Sequence, residues 1–268
     1  MRFVALFFTL VILAFAGTMN TLLVLRQNRL MELGKYRQSV QTYFGAEQTR
    51  ERWMGIYRNN NKIGYTGVTM ERIPIADEDF AFQFWSSLDS VFTFDLFGRG
   101  KHVAFRGNLM QDNAMRPLEL RGKLTLDHSI EISFSGKRDG DRFRLTVRKG
   151  DLRLFERELP LEDFHLGDGL TPTLPLAGLE VGDTFQVASF DPILMGRSTV
   201  NVEVLSSETR PLGGILVDVF ALKSLFRGAS STSWVTRDGT LLRQEFGPPL
   251  EGVVLKRENK QRAQKGFR

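Results

Sequence analysis

Three histidines are the residues of this chain best suited to metal binding or to proton transfer near neutral pH: His102, His128 and His165. A zinc site would need several such ligands at short spacing, or a histidine beside an acidic ligand. None of the three has a second histidine or an acidic ligand at metal spacing. The pattern favours surface or turn histidines, so no metal-binding residue is assigned.

Acidic and hydroxyl residues show no catalytic pattern either. The segments DGDR and EDFHLGDGL combine acids with glycines but do not match the calcium loop with its closing glutamate. The G-x-S-x-G nucleophile elbow is absent, and the serines of GASSTSW fall in a predicted strand. Glu162 and Asp163 have no identifiable carboxylate partner for glycoside hydrolysis. We therefore predict a non-catalytic protein and assign no catalytic residue.

Composition excludes further classes of chemistry. The chain has no cysteine, which rules out a disulfide framework, a thiolate zinc site and a cysteine nucleophile. No glycine run has the form of a phosphate-binding loop, so no cofactor and no cofactor-binding residue are predicted. The net charge of +5 comes from basic residues scattered along the chain. Without a dense basic patch or a nucleic-acid motif, nucleic acid is not a predicted partner.

The elements that would position any site are short strands. From Trp53 onward, apolar and polar residues alternate with a period of two, and the apolar set includes Phe80, Phe82 and Phe84. One face of the sheet should therefore be dry and the other wetter. Strands are predicted over residues 53–58, 63–72, 80–87, 91–97, 103–110, 118–126, 130–135, 142–148, 152–158, 184–189, 198–206, 215–224, 230–237, 241–246 and 253–257.

Turn residues and glycines refine this pattern. Residues 59–62, Asn-Asn-Asn-Lys, predict the turn of the first hairpin, and Asp238-Gly239 predicts another. Gly55, Gly64 and Gly67 lie inside predicted strands, where missing side chains mark bulges, bending or close approach of another backbone. The strands should therefore form a curved antiparallel meander.

The N-terminal region carries a membrane signal. Residues 3–25, FVALFFTLVILAFAGTMNTLLVL, form an apolar run of spanning length. Ala14-Phe15-Ala16 also has the form of a signal-peptidase site, so cleavage after Ala16 is the alternative to an uncleaved anchor. Basic residues after the run would hold the body in the cytoplasm, whereas the short N-terminal flank is typical of export signals. We expect a single-pass protein of the bacterial inner membrane whose body faces the periplasm or the cell exterior.

The predicted organisation has four parts. They are a transmembrane anchor or signal peptide over residues 1–26, an amphipathic helix or stalk over 27–51, an antiparallel β domain over 52–258, and a basic tail over 259–268. Prolines and glycines predict a crossover near 159–183, with a short helix around 170–179. The predicted fold class is mainly β, a curved antiparallel sheet or half-barrel in one or two sheet segments, preceded by a membrane helix and an amphipathic helix.

Three stretches occur in a characteristic order: W-x-G-I-Y-x-x-x-x-K-I-G-Y from Trp53, GLEVGDTFQVASFDP from Gly178, and STSWVTRDGTLLRQEFGPPLEGVVLKRE from Ser231. This order resembles the β-rich domain that precedes the catalytic core in many bacterial transglutaminase-like proteins, and it is similar to DUF3108-type envelope proteins. The matching positions are Trp53, Lys62-Ile63-Gly64-Tyr65, Gly182, Phe190-Asp191-Pro192, Trp234, Asp238-Gly239 and the strand from Gly252 to Arg257.

This resemblance implies a fold without the enzyme activity. The transglutaminase-like core needs a cysteine, and the chain has none. What the resemblance implies is a curved antiparallel sheet and, by looser analogy with half-barrel lipoprotein carriers, a concave apolar face that holds an acyl chain.

Two main functions are therefore open. The first is a membrane-anchored, non-catalytic envelope module that acts through an envelope protein partner. The second is a carrier of a lipid or another hydrophobic ligand on a concave apolar sheet face. An unrecognised hydrolase or metal enzyme is a third hypothesis. Trp53 and Trp234 would be its markers, although large aromatics at strand starts more often fill a core.

Overall fold

The computed structural model of the chain describes residues 49–75, 82–96, 99–113, 116–161, 180–191, 196–212, 215–226, 228–237 and 240–267. The predicted membrane segment over 1–26, most of the predicted amphipathic helix over 27–51 and the predicted helix around 170–179 lie outside these ranges. Within the described ranges, no helix is long and apolar enough to cross a membrane.

The described residues belong to two compact units. Unit 1 contains described residues between 180 and 254, and unit 2 contains those between 49 and 161 and between 255 and 267. The boundary after His165 falls inside the predicted crossover over 159–183. The change of unit thus coincides with the proline- and glycine-rich stretch of the sequence.

Unit 2 is an antiparallel meander in which successive strands pair with each other. Its strands are β1 (Thr49–Arg58), β2 (Asn61–Pro74), β3 (Phe82–Leu96), β4 (Arg99–Gln111), β5 (Pro117–Leu126), β6 (Ile130–Asp139), β7 (Arg142–Lys149) and β8 (Leu152–Pro160).

Unit 1 repeats the same connectivity, because its strands also pair in chain order without a crossover. They are β9 (Thr184–Asp191), β10 (Gly196–Leu212), β11 (Ile215–Phe226), β12 (Ala229–Thr236) and β13 (Leu241–Phe246). Strand β14 (Val253–Glu258) returns the chain to unit 2, where a short helix α1 (Lys260–Gln264) follows. The prediction of a mainly β, antiparallel fold is confirmed.

The structure corrects three sequence predictions. Thr49–Glu51 belong to β1 and not to the amphipathic helix, because the two-residue alternation already begins at Arg50. The strands predicted over 80–87 and 91–97 are one strand, β3, in its described part. The polar Asp89 between them is not a break, because it accepts hydrogen bonds from Tyr65 and Arg106 on the two neighbouring strands.

The third correction concerns the predicted basic tail over 259–268. Asn259 caps α1 by accepting a hydrogen bond from the backbone of Arg262 at 2.8 Å. The basic side chains of the helix stay exposed, but Ala263 is fully buried and Gln264 is 7% exposed. The segment therefore packs on the sheet through its small and amide residues instead of being solvated throughout.

Glycines allow two close approaches on β2. Trp53 stands directly across from Gly67, and a Cβ on Gly67 would overlap the indole ring. A Cβ on Gly64 would overlap the backbone of Val91 and the side chain of Phe92. The hairpin before them turns over Asn59 and Asn60 alone, both at positive φ, so the predicted four-residue turn is two residues too long.

The sheet of unit 2 has two distinct faces, since side chains alternate along each strand. The outer face carries Trp53, Tyr65 and α1, together with the exposed charges of β5 to β7. The inner face is apolar, as the alternation predicts. Its buried side chains include Met54, Ile56, Val68, Met70, Phe84, Val103, Leu109, Leu124, Leu126, Ile132, Phe143 and Leu145.

Candidate functional site

A buried carboxylate on the outer face holds the end of unit 2 together. The Glu258 side chain is only 3% exposed, and it accepts hydrogen bonds from Tyr57 Oη at 2.6 Å and Lys62 Nζ at 2.7 Å. Arg262 Nε lies 3.2 Å from the same carboxylate. Lys62 also donates to the Arg262 carbonyl at 2.5 Å. One carboxylate thereby links the first hairpin to β14 and α1.

A second carboxylate, Asp89 on β3, likewise binds side chains from several elements, namely β2, α1 and β4. It accepts a hydrogen bond from Tyr65 Oη at 2.9 Å and a longer one from Gln264 Nε2 at 3.4 Å. Arg106 Nε lies 3.3 Å from its other oxygen. Burial, followed by the hydrogen bond and the charge of Asp89, raises the pKa of Tyr65 to about 12. Tyr65 is therefore a neutral hydrogen-bond donor and not an acid or base for chemistry at neutral pH.

Tyr65, which binds Asp89, also belongs to a buried aromatic cluster. Trp53 and Tyr65 have ring centroids 6.0 Å apart, and the Phe267 ring lies 6.4 Å from that of Tyr65. Ala263 and Val91 complete this buried cluster. Trp53 thus fills a core, which is the more common of the two roles, core residue or site marker, that the sequence allowed for it. A Cβ on Gly55 would come 2.6 Å from Glu258, so the glycine makes room for the carboxylate.

The residues of the first sequence motif therefore share a structural role. Tyr57, Lys62 and Tyr65 bind the two carboxylates, Gly55 makes room for one of them, and Trp53 packs beneath α1. Of the later matching positions, Pro192 and Asp238-Gly239 lie outside the described residues. Trp234 is half-buried on β12, where the Arg243 guanidinium lies 5.7 Å from its ring centroid. Within unit 2, the described residues of the first motif thus serve packing and hydrogen bonding.

Two histidines that are distant in sequence stack on each other. The rings of His102 on β4 and His128 in the β5–β6 turn have centroids 4.0 Å apart and planes inclined by 22°. Burial and the neighbouring His128 lower the pKa of His102, and Asp127 opposes them. Sequence reasoning missed this pair, although the pairing of Val103 with Leu126 places His102 beside the turn.

Within the described residues, the histidine pair has no third side chain that could complete a metal site. The Asp127 carboxylate is occupied by Lys101 Nζ at 2.5 Å and by the backbone N–H of His102 at 3.1 Å. Throughout the described ranges, no group of three or more histidine, cysteine or acidic side chains could hold a metal ion. His165 lies outside those ranges.

The inner face contains a partly exposed aromatic patch, which we define as Phe105, Phe134, Gly107 and Gly122. The two glycines face each other across β4 and β5, and Phe134 is the next residue in the same row. The Phe105 ring lies over both glycines, since an added Cβ would meet it at 3.2 Å on Gly107 and 3.3 Å on Gly122. The two phenylalanine centroids are 6.2 Å apart, and both side chains are half-buried.

The surroundings of the aromatic patch are much less exposed. Val103, Leu124 and Ile132, two residues along the same strands, are 0%, 5% and 2% exposed. Phe105 and Phe134 thus keep some apolar surface exposed beside residues that are almost fully buried. Such a surface suits contact with an apolar ligand, and it is the best candidate for a functional site in unit 2.

Unit 1 buries polar side chains of its own. Ser224 and Ser233 are 5% and 0% exposed, and their hydroxyls have no hydrogen-bond partner in the described part of the chain. Gln244 Nε2 lies 3.3 Å from Ser231 Oγ. Buried hydroxyls of this kind are commonly satisfied by ordered water, so we assign them no ligand.

The first testable prediction concerns Glu258. In Glu258→Gln, Lys62 and Arg262 lose their anionic partner, and we expect the free energy of unfolding to fall by about 2–4 kcal/mol. Urea unfolding followed by tryptophan fluorescence measures the loss. The matched control is Glu119→Gln, because its partner Arg121 is 76% exposed and such surface pairs contribute less than about 1 kcal/mol. Equal losses in the two variants would contradict the role of Glu258.

The second prediction is a pH dependence. Because the folded protein holds the Tyr65 proton more tightly than the unfolded chain, with a pKa of about 12 against 10.0, this stabilisation is complete below pH 10. It is lost as the pH rises towards 12. Between pH 9 and pH 11, wild-type protein should lose more unfolding free energy in urea titrations than Tyr65→Phe. Parallel losses in both proteins would show that Tyr65 does not carry the effect.

Comparison with known proteins identifies no family for the chain. No family model matches it, and no curated protein does. A crystal structure of a β-barrel-like DUF1849 protein from Brucella abortus is 10% identical, with a TM-score of 0.44, over 78% of this chain and 94% of that one. A DUF1329 family protein from Desulfovibrio piger is 10% identical, with a TM-score of 0.24, over 85% and 91%. The resemblance to transglutaminase-associated and DUF3108-type domains stays a prediction.

Proposed function

We propose that this protein is a non-catalytic β-domain that binds a hydrophobic ligand, such as a lipid acyl chain, on a curved inner face of unit 2. The observation that carries the proposal is the half-buried aromatic patch of Phe105 and Phe134 over Gly107 and Gly122. Water solvates such a surface poorly, so covering it with apolar groups is favourable.

The shape of the aromatic patch suits a chain-like ligand. Two opposed glycines leave the sheet without side chains at this point, and the Phe105 ring lies over them. A ligand there would contact the aromatic rings of Phe105 and Phe134. Each methylene that it buried would contribute about 0.8 kcal/mol, so a modest length of acyl chain could supply measurable affinity.

The third prediction tests ligand binding with the full chain in cells. Cells producing the protein are fed a fatty acid that carries a photoreactive diazirine and an alkyne, and the protein is irradiated, captured and digested. We expect the label on peptides that contain Phe105 or Phe134, as identified by mass spectrometry. Phe134→Asp, which places a charge in the aromatic patch, should reduce the labelling at least fivefold.

A matched substitution distinguishes labelling at the aromatic patch from nonspecific labelling. Leu154 on β8 is an apolar residue that is 47% exposed outside the patch. Leu154→Asp should leave the labelling unchanged, and circular dichroism should show that both variants are folded. Labelling spread evenly over the chain, or equal in wild type and Phe134→Asp, would overturn the proposal.

A second candidate function is a membrane-anchored envelope module that acts by binding another envelope protein. It is supported by the apolar run over residues 3–25 and by strand β8, which exposes Leu152 by 63% and Leu154 by 47%. Among the described strands, β7 alone pairs with β8. A strand edge with exposed leucines is a surface to which a partner strand can add.

The fourth prediction tests this second function. A photocrosslinking amino acid at position 154 of the full chain should capture one discrete envelope protein in cells, whereas the same group at position 123 should not. Lys123 is a suitable control because it is 54% exposed on the outer face of β5. Identical crosslinking patterns at the two positions would rule out β8 as a specific interface. A reporter fused after residue 268 would report on which side of the membrane the body lies.

A further inference from the structure

One end of the unit 2 sheet presents aliphatic and basic side chains together. Ile130 is the first residue of β6 and Leu152 is the first residue of β8, while Arg148 and Lys149 are the last residues of β7. Because β7 is antiparallel to both of these neighbours, the four residues lie at the same end of the sheet. Together with Leu154 on β8, they form a set that we call the basic–apolar tip.

The basic–apolar tip concentrates the exposed aliphatic surface of unit 2. Leu152 is 63% exposed, Leu154 47% and Ile130 40%. In the described part of unit 2, the other large aliphatic residue with comparable exposure is Ile73, near the opposite end of the sheet on β2. Single exposed leucines are common, whereas several at one end of a sheet favour contact with an apolar phase.

The tip also carries a positive charge that its own hairpin does not neutralise. Arg148 and Lys149 are both exposed, and neither forms an ion pair in the described part of the chain. Arg153 is paired with Glu156 at 2.6 Å, and Asp151 is the acid of the turn between β7 and β8. The basic residues therefore exceed the acids, and the tip is complementary to an anionic surface.

Acids of the neighbouring hairpin are bound to cations of their own. Glu131, beside Ile130, lies 2.6 Å from Lys123 Nζ. Asp127, in the turn between β5 and β6, accepts a hydrogen bond from Lys101 Nζ at 2.5 Å. Neither carboxylate is thus available to cancel the charge of the tip.

A bulge in β8 makes this end of the sheet a poor place for a partner strand. Val147 pairs with Phe155, but the next residue of β7, Arg148, pairs with Arg153, which leaves Leu154 without a partner on β7. Such an extra residue bends the strand and interrupts its regular ladder. The leucines of the tip are therefore better suited to a lipid phase, which requires no register, than to strand addition.

From these observations we infer that the basic–apolar tip docks on the surface of an anionic lipid bilayer. Leu152, Leu154 and Ile130 enter the interfacial region, and the long side chains of Arg148 and Lys149 extend to the lipid phosphates. The apolar run over residues 3–25, which we expect to anchor the chain, would hold the body beside such a surface. The inference goes beyond ligand binding, because the aromatic patch is not part of the tip.

The fifth prediction measures the depth of the tip in a bilayer. Since the chain has no cysteine, Leu154→Cys creates a single site for the fluorophore NBD. The labelled full chain is reconstituted into vesicles of phosphatidylcholine, alone or mixed with phosphatidylglycerol, that contain a nitroxide-labelled lipid as quencher. We expect quenching at position 154 to be about fivefold stronger in the anionic vesicles than in the neutral ones.

A second labelled leucine is the matched control. Leu216 on β11 is 75% exposed, and the charges near it are balanced, because Asp218 lies 3.5 Å from Arg237. NBD at Leu216→Cys should stay in water in both kinds of vesicle. Because quencher is present in both leaflets, the comparison does not depend on which way the chain inserts.

Substitutions within the tip show whether its charge and its leucines are responsible. With Arg148→Gln and Lys149→Gln together, quenching at position 154 in anionic vesicles should fall to the level of the neutral vesicles. Arg148→Lys keeps the charge and should retain the quenching. Leu152→Asp should reduce it, because a carboxylate opposes entry into the bilayer. All of these side chains are exposed, and circular dichroism should show that each variant is folded.

Four outcomes would overturn the inference. The label at position 154 could remain in water in every vesicle, or be quenched equally in neutral and anionic vesicles. Equal quenching at positions 154 and 216 would show that the tip has no special role. A label that stays in water while a crosslinker at position 154 captures one protein would assign the leucines to a protein partner instead.

Discussion

The hydrogen bonds and ion pairs of the buried Glu258 carboxylate are the interactions on which the docking of β14 and α1 onto the first hairpin depends. At 3% exposure, an ionised carboxylate is unfavourable unless several donors surround it, and Tyr57, Lys62 and Arg262 supply them. Because these donors come from the first hairpin and from α1, the carboxylate can be satisfied only when residues far apart in the chain meet. The aromatic cluster of Trp53 and Tyr65 is closed by the same docking. The most recognisable motif of the sequence thus has a structural role in unit 2.

Alternation along the strands assigns different tasks to the two faces of unit 2. The outer face carries the carboxylates, their ion pairs and α1, and it accounts for most of the charge. The inner face is mostly apolar, although Thr66, Ser90 and Gln111 are buried polar residues on it. A slip of one residue in the pairing of β1 with β2 would exchange these faces. The register that places Trp53 opposite Gly67 therefore also determines which side chains reach the inner face.

Several parts of this architecture could be predicted from the sequence, and the failures have physical causes. Period-two patterns located the strands because each strand has one dry face. The break predicted between residues 87 and 91 is wrong, because Asp89 lies within β3, where Tyr65 and Arg106 on the neighbouring strands bind its carboxylate. Helix α1 was missed because five residues are too few for a helical period, and its stability comes from packing of Ala263. The stacked histidines required the β4–β5 register, which no local pattern contains.

The sequence by itself determined a mainly β, antiparallel chain without cysteine chemistry. Local propensity and side-chain alternation are enough for those conclusions, because they act between residues close in the chain. Only the tertiary structure showed that the tryptophan motif packs against α1, and that Gly107, Gly122 and Phe134 form one row. Such rows arise from the register of several strand pairs at once, and register depends on long-range packing that a linear pattern does not encode.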